Sequence, residues 1–185
     1  MSVSQRHATL EEFLTWPEEQ PALEYADGTV TRKVSPQGEH SVLATDFAEL
    51  VNRFARPDRL ARAFVELRTT FGGASHVPDV AIYRWERYPR TPAGRVANRF
   101  LIPPDIAVEI LSPEQRLSGV ARTCRWYVAN GALIALLVDP TNETVRVFCP
   151  GAEPLILRGD DRIDLSEVLP GFELTVRELF SVLDG

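Results

Sequence analysis

Two carboxylates, Asp79 and Glu109, stand where they could share a divalent cation. Glu109 interrupts an otherwise apolar strand, Ile106-Ala-Val-Glu109-Ile-Leu111, which runs into Ser112-Pro113. An ionised carboxylate in a buried strand is strongly unfavourable unless it is paired or bound to a metal. Either the strand meets water there or a cation faces Glu109. Asp79 opens a similar run upstream, Val77-Pro78-Asp79-Val80-Ala81-Ile82-Tyr83. One acid at a strand start and one inside the next strand supply the oxygen donors that a hard divalent ion takes. Asp105 lies on the same strand face as Glu109 by alternation, but it sits at a strand mouth after Pro103-Pro104, where a turn role is expected.

The elements that must carry these acids alternate between strand and helix. Thr9-Leu-Glu-Glu12 fits a capping box and predicts a short helix that stops before Pro17. Glu24-Tyr-Ala-Asp27-Gly28-Thr predicts a hairpin, because Asp-Gly supplies the positive φ of a tight turn. Ser35-Pro36-Gln37-Gly38 breaks the chain, and helical spacing of Leu43, Phe47, Leu50, Val51 and Phe54 follows, ending near Pro57. Residues 63–71 read as one strand closed by Gly72-Gly73, with Glu66 and Arg68 on one face, and 78–84 as the next. Residues 85–102 are basic and broken by prolines, a surface excursion in which Trp85 and Tyr88 either pin the loop or stack on bases. Ser112-Pro113-Glu114-Gln115 resembles a second capping box, predicting a helix from there to Ala129 with Asn130-Gly131 as its stop. Ala132–Val138 is almost wholly apolar, a central strand buried on both faces. Residues 144–148 alternate like an edge or half-exposed strand; short strands at 155–157 and 163–165 and a helix over 176–183 complete the chain.

Composition sets the frame. A chain of 185 residues with 44% hydrophobic and 25% charged residues is expected to form one domain, spanning 1–185, with its own core. The net charge of −6 argues against a protein that coats DNA by bulk electrostatics, though not against an acidic metal site with local basic groups. Cys124 and Cys149 have no metal-ligand spacing and are expected to be reduced. No apolar run is long enough for a membrane span, and the segment Met1–His7 has no apolar signal core, so a cytoplasmic protein without a membrane partner is expected.

The ordered set Pro78-Asp79, Val108-Glu109-Ile110-Leu111-Ser112-Pro113, Tyr127-Val-Ala-Asn-Gly131 and Leu137-Val138-Asp139-Pro140 resembles the Uma2 family of proposed restriction endonucleases, within the PD-(D/E)XK nuclease superfamily. The resemblance runs from about residue 10 to residue 180. It implies an α/β (α+β) fold with a restriction-endonuclease-like mixed central sheet flanked by helices, preceded by an N-terminal hairpin. It also implies Mg²⁺, with Mn²⁺ as a substitute, held by Asp79, Glu109 and the Ile110 backbone carbonyl. Glu24 matches an acid carried near the first hairpin and would complete the site; His40 would steer a water. The implied substrate is DNA and the implied assembly a homodimer, since two strands need two sites. One position departs from the pattern. The lysine that the resemblance places four residues before Tyr127 is Thr123, which carries no charge. Arg116 and Arg122, nearby on the same helix, could contact phosphate, but an arginine stays protonated and makes a poor base.

Two function classes follow. One is a metal-dependent endonuclease, weakened by the loss at Thr123; the other is a catalytically inactive nuclease-fold module for binding or assembly. Glu109 discriminates them: facing an open cleft it favours the enzyme, and locked to an arginine in a closed pocket it favours the scaffold. The chain has no Gly-x-Ser-x-Gly elbow, no His-Glu-x-x-His and no phosphate loop, which leaves little support for a small-molecule hydrolase.

Overall fold

The Asp27-Gly28 hairpin forms as expected. Strands β2 (Leu23–Ala26) and β3 (Thr29–Arg32) pair antiparallel with Tyr25 opposite Val30. Both turn residues hold positive φ, 48° and 76°, the combination a two-residue hairpin turn needs. The computed structural model describes residues 6–184; the Met1–Gln5 part of the segment read above for a signal lies outside them. Thr9 caps α1 (Leu10–Phe13) through the expected reciprocal box with Glu12.

The hairpin belongs to a small antiparallel sheet in the order β1-β3-β2-β6-β5. Its other members are β1 (Arg6–His7), β5 (Thr69–Phe71) and β6 (Ala74–His76), the last two joined through Gly72-Gly73. The single strand expected over 63–71 is two strands in two sheets. β4 (Ala61–Val65) ends where Glu66 takes φ 48°, a left-handed turn that redirects the chain into β5. Arg68 then pairs with Glu18 and lies over Phe13, away from the acids.

The main sheet has six strands in the order β11-β10-β9-β8-β7-β4. Beyond β4 these are β7 (Val80–Arg84), β8 (Ile106–Ile110), β9 (Ile134–Asp139), β10 (Thr144–Phe148) and β11 (Leu155–Arg158). β8 and β9 run parallel and the other pairs antiparallel, so the sheet is mixed. β9 is buried along its length, as its apolar run requires. β10 is paired on both sides, so of the two readings of 144–148 the half-exposed strand holds, with Arg146 and Val147 half-buried, and the edge falls one strand further on. Residues 163–165 form no strand; only the bridge Arg162–Thr175 forms beside them.

Two helices cover the two faces. α2 (Gly38–Ala55) buries His40, Leu43, Ala44, Phe47, Ala48, Val51 and Ala55, the three-and-four spacing of an inward stripe. It packs in one core cluster with Val80, Ile82, Ile106, Val108, Ile110, Leu136 and Val138. α3 (Leu117–Ala129) packs in a second, against Ala107, Ala135 and Leu137. It begins later than expected: Ser112–Gln115 makes only half a capping box, Gln115 Oε1 accepting from the Ser112 N–H, and Arg116 occupies the N-cap. α4 (Val176–Phe180), capped by a reciprocal Thr175–Glu178 pair, continues into a 3₁₀ turn over Ser181–Leu183. No helix of the described residues is long and apolar enough to cross a membrane.

The excursion after β7 is anchored. Tyr88 and Phe100 pack with Tyr83 and Phe64, and the Arg90 guanidinium lies over the Tyr88 and Trp85 rings. Arg87 and the Arg84 N–H are held by buried Asp105, which accounts for that acid as a structural one.

Candidate functional site

Strand alternation decides which way the acids face. On β8, Ile106, Val108 and Ile110 join the α2-side core while Ala107 joins the α3 side, so Glu109 belongs to the α3 face. On β7, Val80 and Ile82 face α2, and Asp79 has the opposite parity. The β7–β8 register pairs Val80 with Val108; continued by one residue, it sets Asp79 across from Glu109. Two acids thirty positions apart thus meet on one face because one antiparallel ladder is in this register.

They open into a cleft of about 280 Å³ lined by Glu24, Arg32, Lys33, His40, Asp79, Glu109, Gln115, Arg116, Arg122 and Thr123, among others. The structure therefore brings together Asp79, Glu109, Glu24, His40, Arg116 and Arg122. Ile110 sits beside them through its backbone, its N–H donating to Asp79 Oδ2 at 2.6 Å. His40 Nε2 stands 3.0 Å from the same oxygen, so this imidazole holds Asp79. Glu24 Oε1 accepts from the Val77 N–H at 2.8 Å, with His76 Nδ1 3.7 Å away, beyond hydrogen-bond reach. The Tyr127 hydroxyl, one turn beyond Thr123 on α3, donates to Glu109 Oε1 at 2.7 Å. His76 and Trp126 pack around that tyrosine ring.

Sequence reasoning missed Lys33, Tyr127 and His76 as members of this site. Lys33 matters most. It follows β3, and its Nζ lies 2.6 Å from Asp79 Oδ1 while donating to the Val77 carbonyl. Its side chain is only 10% exposed. A signal existed: among the twenty Lys and Arg residues of the chain, Lys33 is the one lysine.

Charge and burial pull against each other throughout. Burial alone would lower the Lys33 pKa, but the carboxylates of Asp79, Glu109 and Glu24 outweigh it and raise it, so the group stays an ammonium. Burial would raise Asp79; the Lys33 charge and the His40 contact outweigh it, and Asp79 titrates below its usual range. Glu24 is likewise lowered, burial being overcome by His76, Lys33 and the Val77 N–H. Glu109 goes the other way. Burial pushes it up to about 8; Lys33 opposes the shift, Asp79 and Glu24 add to it, and the Tyr127 hydrogen bond opposes it. Without a further cation the cleft holds one more carboxylate than its lysine and hydrogen bonds can keep ionised at neutral pH.

A stability prediction follows. Folded Glu109 holds its proton more tightly than the unfolded chain does, so unfolding releases it between pH about 4.5 and about 8. Metal-free protein therefore loses stability as pH rises through that window, by a few kcal/mol at about 1.4 kcal/mol per pH unit. Asp79 and Glu24, being lowered, lose their contribution only below the ordinary carboxylate range. Urea midpoints at pH 5 and pH 8 in a chelator measure the fall, and Glu109→Gln flattens it.

Among the described residues no three His, Cys, Asp or Glu side chains converge as a metal cage. The set nonetheless suits an ion that keeps much of its water. Mg²⁺ is commonly held by one or two carboxylates plus waters and substrate phosphate. His40 and the Ile110 N–H hold Asp79 Oδ2, while Asp79 Oδ1, ion-paired with Lys33, accepts no hydrogen bond among the described residues, and the Tyr127 bond leaves Glu109 three acceptor positions. The proton-loaded state of Glu109 marks the place where added positive charge is most favourable.

Comparisons with known proteins bear on the family and the fold. The sequence model of the Uma2 family, described as "Putative restriction endonuclease", matches residues 10–177. The chain is also similar to a solved structure described as "a putative nuclease belonging to DUF820 from Anabaena variabilis", with a TM-score of 0.92 and 39% identity over 95% of this chain and 99% of that one. None of the curated proteins searched matches the chain. The match over residues 10–177 places the chain in the Uma2 family.

Proposed function

We propose that the chain is a divalent-metal-dependent endonuclease that hydrolyses phosphodiester bonds in DNA. The observation that carries this reading is the meeting of Asp79 and Glu109 across one strand pair in an open cleft, with basic groups on the α3 side. Asp79, Glu109 and the Ile110 carbonyl would hold Mg²⁺ or Mn²⁺. A metal there, when bound, lowers the pKa of a water and offsets charge on phosphate oxygens. Glu24 adds a further negative group at the cleft wall. His40 and the Ile110 N–H fix the Asp79 carboxylate, and Tyr127 fixes Glu109, so neither acid reorganises during the reaction. Arg116 and Arg122, at the start and middle of α3, contact the DNA backbone. Thr123 supplies no charge from that helix, so cationic assistance has to come from another wall. Cutting both strands takes two such sites, supplied by two copies of the chain.

The non-catalytic scaffold reading is disfavoured by the discriminating residue. Glu109 is hydrogen-bonded by a neutral tyrosine and lines an open cleft; among the described residues no arginine forms a salt bridge with it. The test is a supercoiled-plasmid assay with Mg²⁺, with Mn²⁺ and with a chelator. Nicking or linearisation with either metal, abolished by the chelator and by Glu109→Gln, is expected. Intact plasmid at enzyme excess with both metals would leave the scaffold reading in place.

A further inference from the structure

We propose that Lys33 is the catalytic cation of this cleft, donating from β3's end to a non-bridging oxygen of the scissile phosphate, the role for which α3 offers only Thr123. The proposal rests on the phosphodiester reading of the cleft and goes beyond it in assigning the reaction's cationic donor to a different wall.

Three observations carry it. The first is composition. The chain uses arginine at every other Lys or Arg position and lysine only here. The two are not interchangeable: an ammonium is a compact point charge with three rotatable donors, and a guanidinium is a planar fork. A seat among Asp79, Glu109 and Glu24 calls for the compact group.

The second is hydrogen-bond accounting. An ammonium has three N–H donors. The Val77 carbonyl takes one, and the ammonium is ion-paired with Asp79 Oδ1 at 2.6 Å. Donor capacity remains at a residue that lines the cleft. The hydrogen bond and the ion pair fix the ammonium, so a remaining N–H is preorganised for an acceptor that carries negative charge, which is where electrostatic catalysis gains most. The group acts here as a donor and a fixed charge.

The third is what α3 presents to the cleft. Tyr127 on α3 reaches Glu109, and Thr123, four residues earlier on the same helix face, lines the same cleft. A side chain at 123, on α3, and one at 33, after β3, therefore reach the same cleft from different elements. Thr123 turns its hydroxyl toward the Gly119 carbonyl at 3.5 Å and presents no charge. The ammonium at 33 is the cation already seated against the acids.

The test exploits the single lysine. In protein labelled with ¹⁵N only at lysine, the sole Nζ resonance is followed while inorganic phosphate is added with Mg²⁺ present. Plasmid cleavage and Mn²⁺ affinity by calorimetry are measured on wild type, Lys33→Met, Lys33→Gln and Lys33→Met/Thr123→Lys. The Nζ signal is expected to shift with phosphate. Lys33→Met should slow cleavage by about 10²–10³-fold, the loss typical of removing one preorganised donor, with Mn²⁺ still bound. Adding Thr123→Lys should recover at least tenfold of about that loss, a rescue that a purely structural lysine would not show. If Lys33→Met does not fold, Lys33→Gln, which keeps amide donors for Asp79 and Val77, carries the same comparison.

An Nζ signal indifferent to phosphate, or a double variant no faster than Lys33→Met, would overturn the assignment. So would a loss of Mn²⁺ affinity that accounts for the whole rate loss, since Lys33 would then act only through the acids. A wild type that shifts with phosphate yet cuts no plasmid would sink the hydrolytic reading while leaving Lys33 as the phosphate donor.

Discussion

Lys33→Met is expected to destabilise the folded chain by about 3–5 kcal/mol at pH 8, the usual cost of removing one partner from a buried ion cluster. For a chain of this length that corresponds to a fall in melting temperature on the order of 10 °C. The cause is the loss of the one ammonium that Asp79, Glu109 and Glu24 share. Methionine fills much of the volume, so the loss is electrostatic rather than a cavity effect. Its pH dependence has a definite sign. A carboxyl group that takes a proton no longer needs the ammonium, so the gap between wild type and variant narrows from pH 8 to pH 5. Divalent metal should stabilise the variant more than the wild type, because it meets more uncompensated negative charge. Urea unfolding at both pH values, with chelator and with Mg²⁺, measures all three. A destabilisation equal at pH 5 and pH 8 would show that Lys33 packs rather than pairs.

Asp79→Asn carries the largest expected effect on activity. Asparagine is nearly isosteric and its carbonyl can still accept from the Ile110 N–H, so the fold is retained. What disappears is the negative charge that binds metal and positions Lys33. Cleavage is expected to fall by about 10³-fold or more, since removal of even one preorganised electrostatic partner costs about 10²–10³. Paired with Glu109→Gln, it should leave no measurable metal-dependent cutting.

The acids of this site were legible in the sequence; their cation was not. Asp79 and Glu109 stand out because a carboxylate in an apolar strand needs a reason, and alternation plus one ladder register then puts them face to face. The Asp27-Gly28 hairpin, α2 and the buried β9 were equally readable, since turn chemistry and periodicity are local signals. Lys33 lies in the Arg32–Pro36 stretch that leaves β3, where no period marks a side chain as inward. Its role depends on how the small sheet lies against the large one, a long-range outcome invisible in local pattern. The break at Glu66 was hidden for a related reason: a non-glycine residue with positive φ carries no sequence mark, and strand propensity runs straight through it. Ser112-Pro113-Glu114-Gln115 has capping residues at helical spacing, yet it closes only as a turn, and α3 starts at Leu117. Asp105 resembled Asp79 in sequence, and only the neighbouring Arg84 N–H and Arg87 guanidinium tell the two apart.

Asp79 and Glu109 together seat a divalent ion in the proposed reaction. The most direct measurement is calorimetric titration of Mn²⁺ and Mg²⁺ into wild type and into Asp79→Asn/Glu109→Gln, both first shown to be folded. The wild type is expected to bind with proton release near pH 7, as Glu109 gives up its proton, and the double variant not to bind. Equal binding by the two proteins, or none by the wild type at millimolar metal, would contradict it.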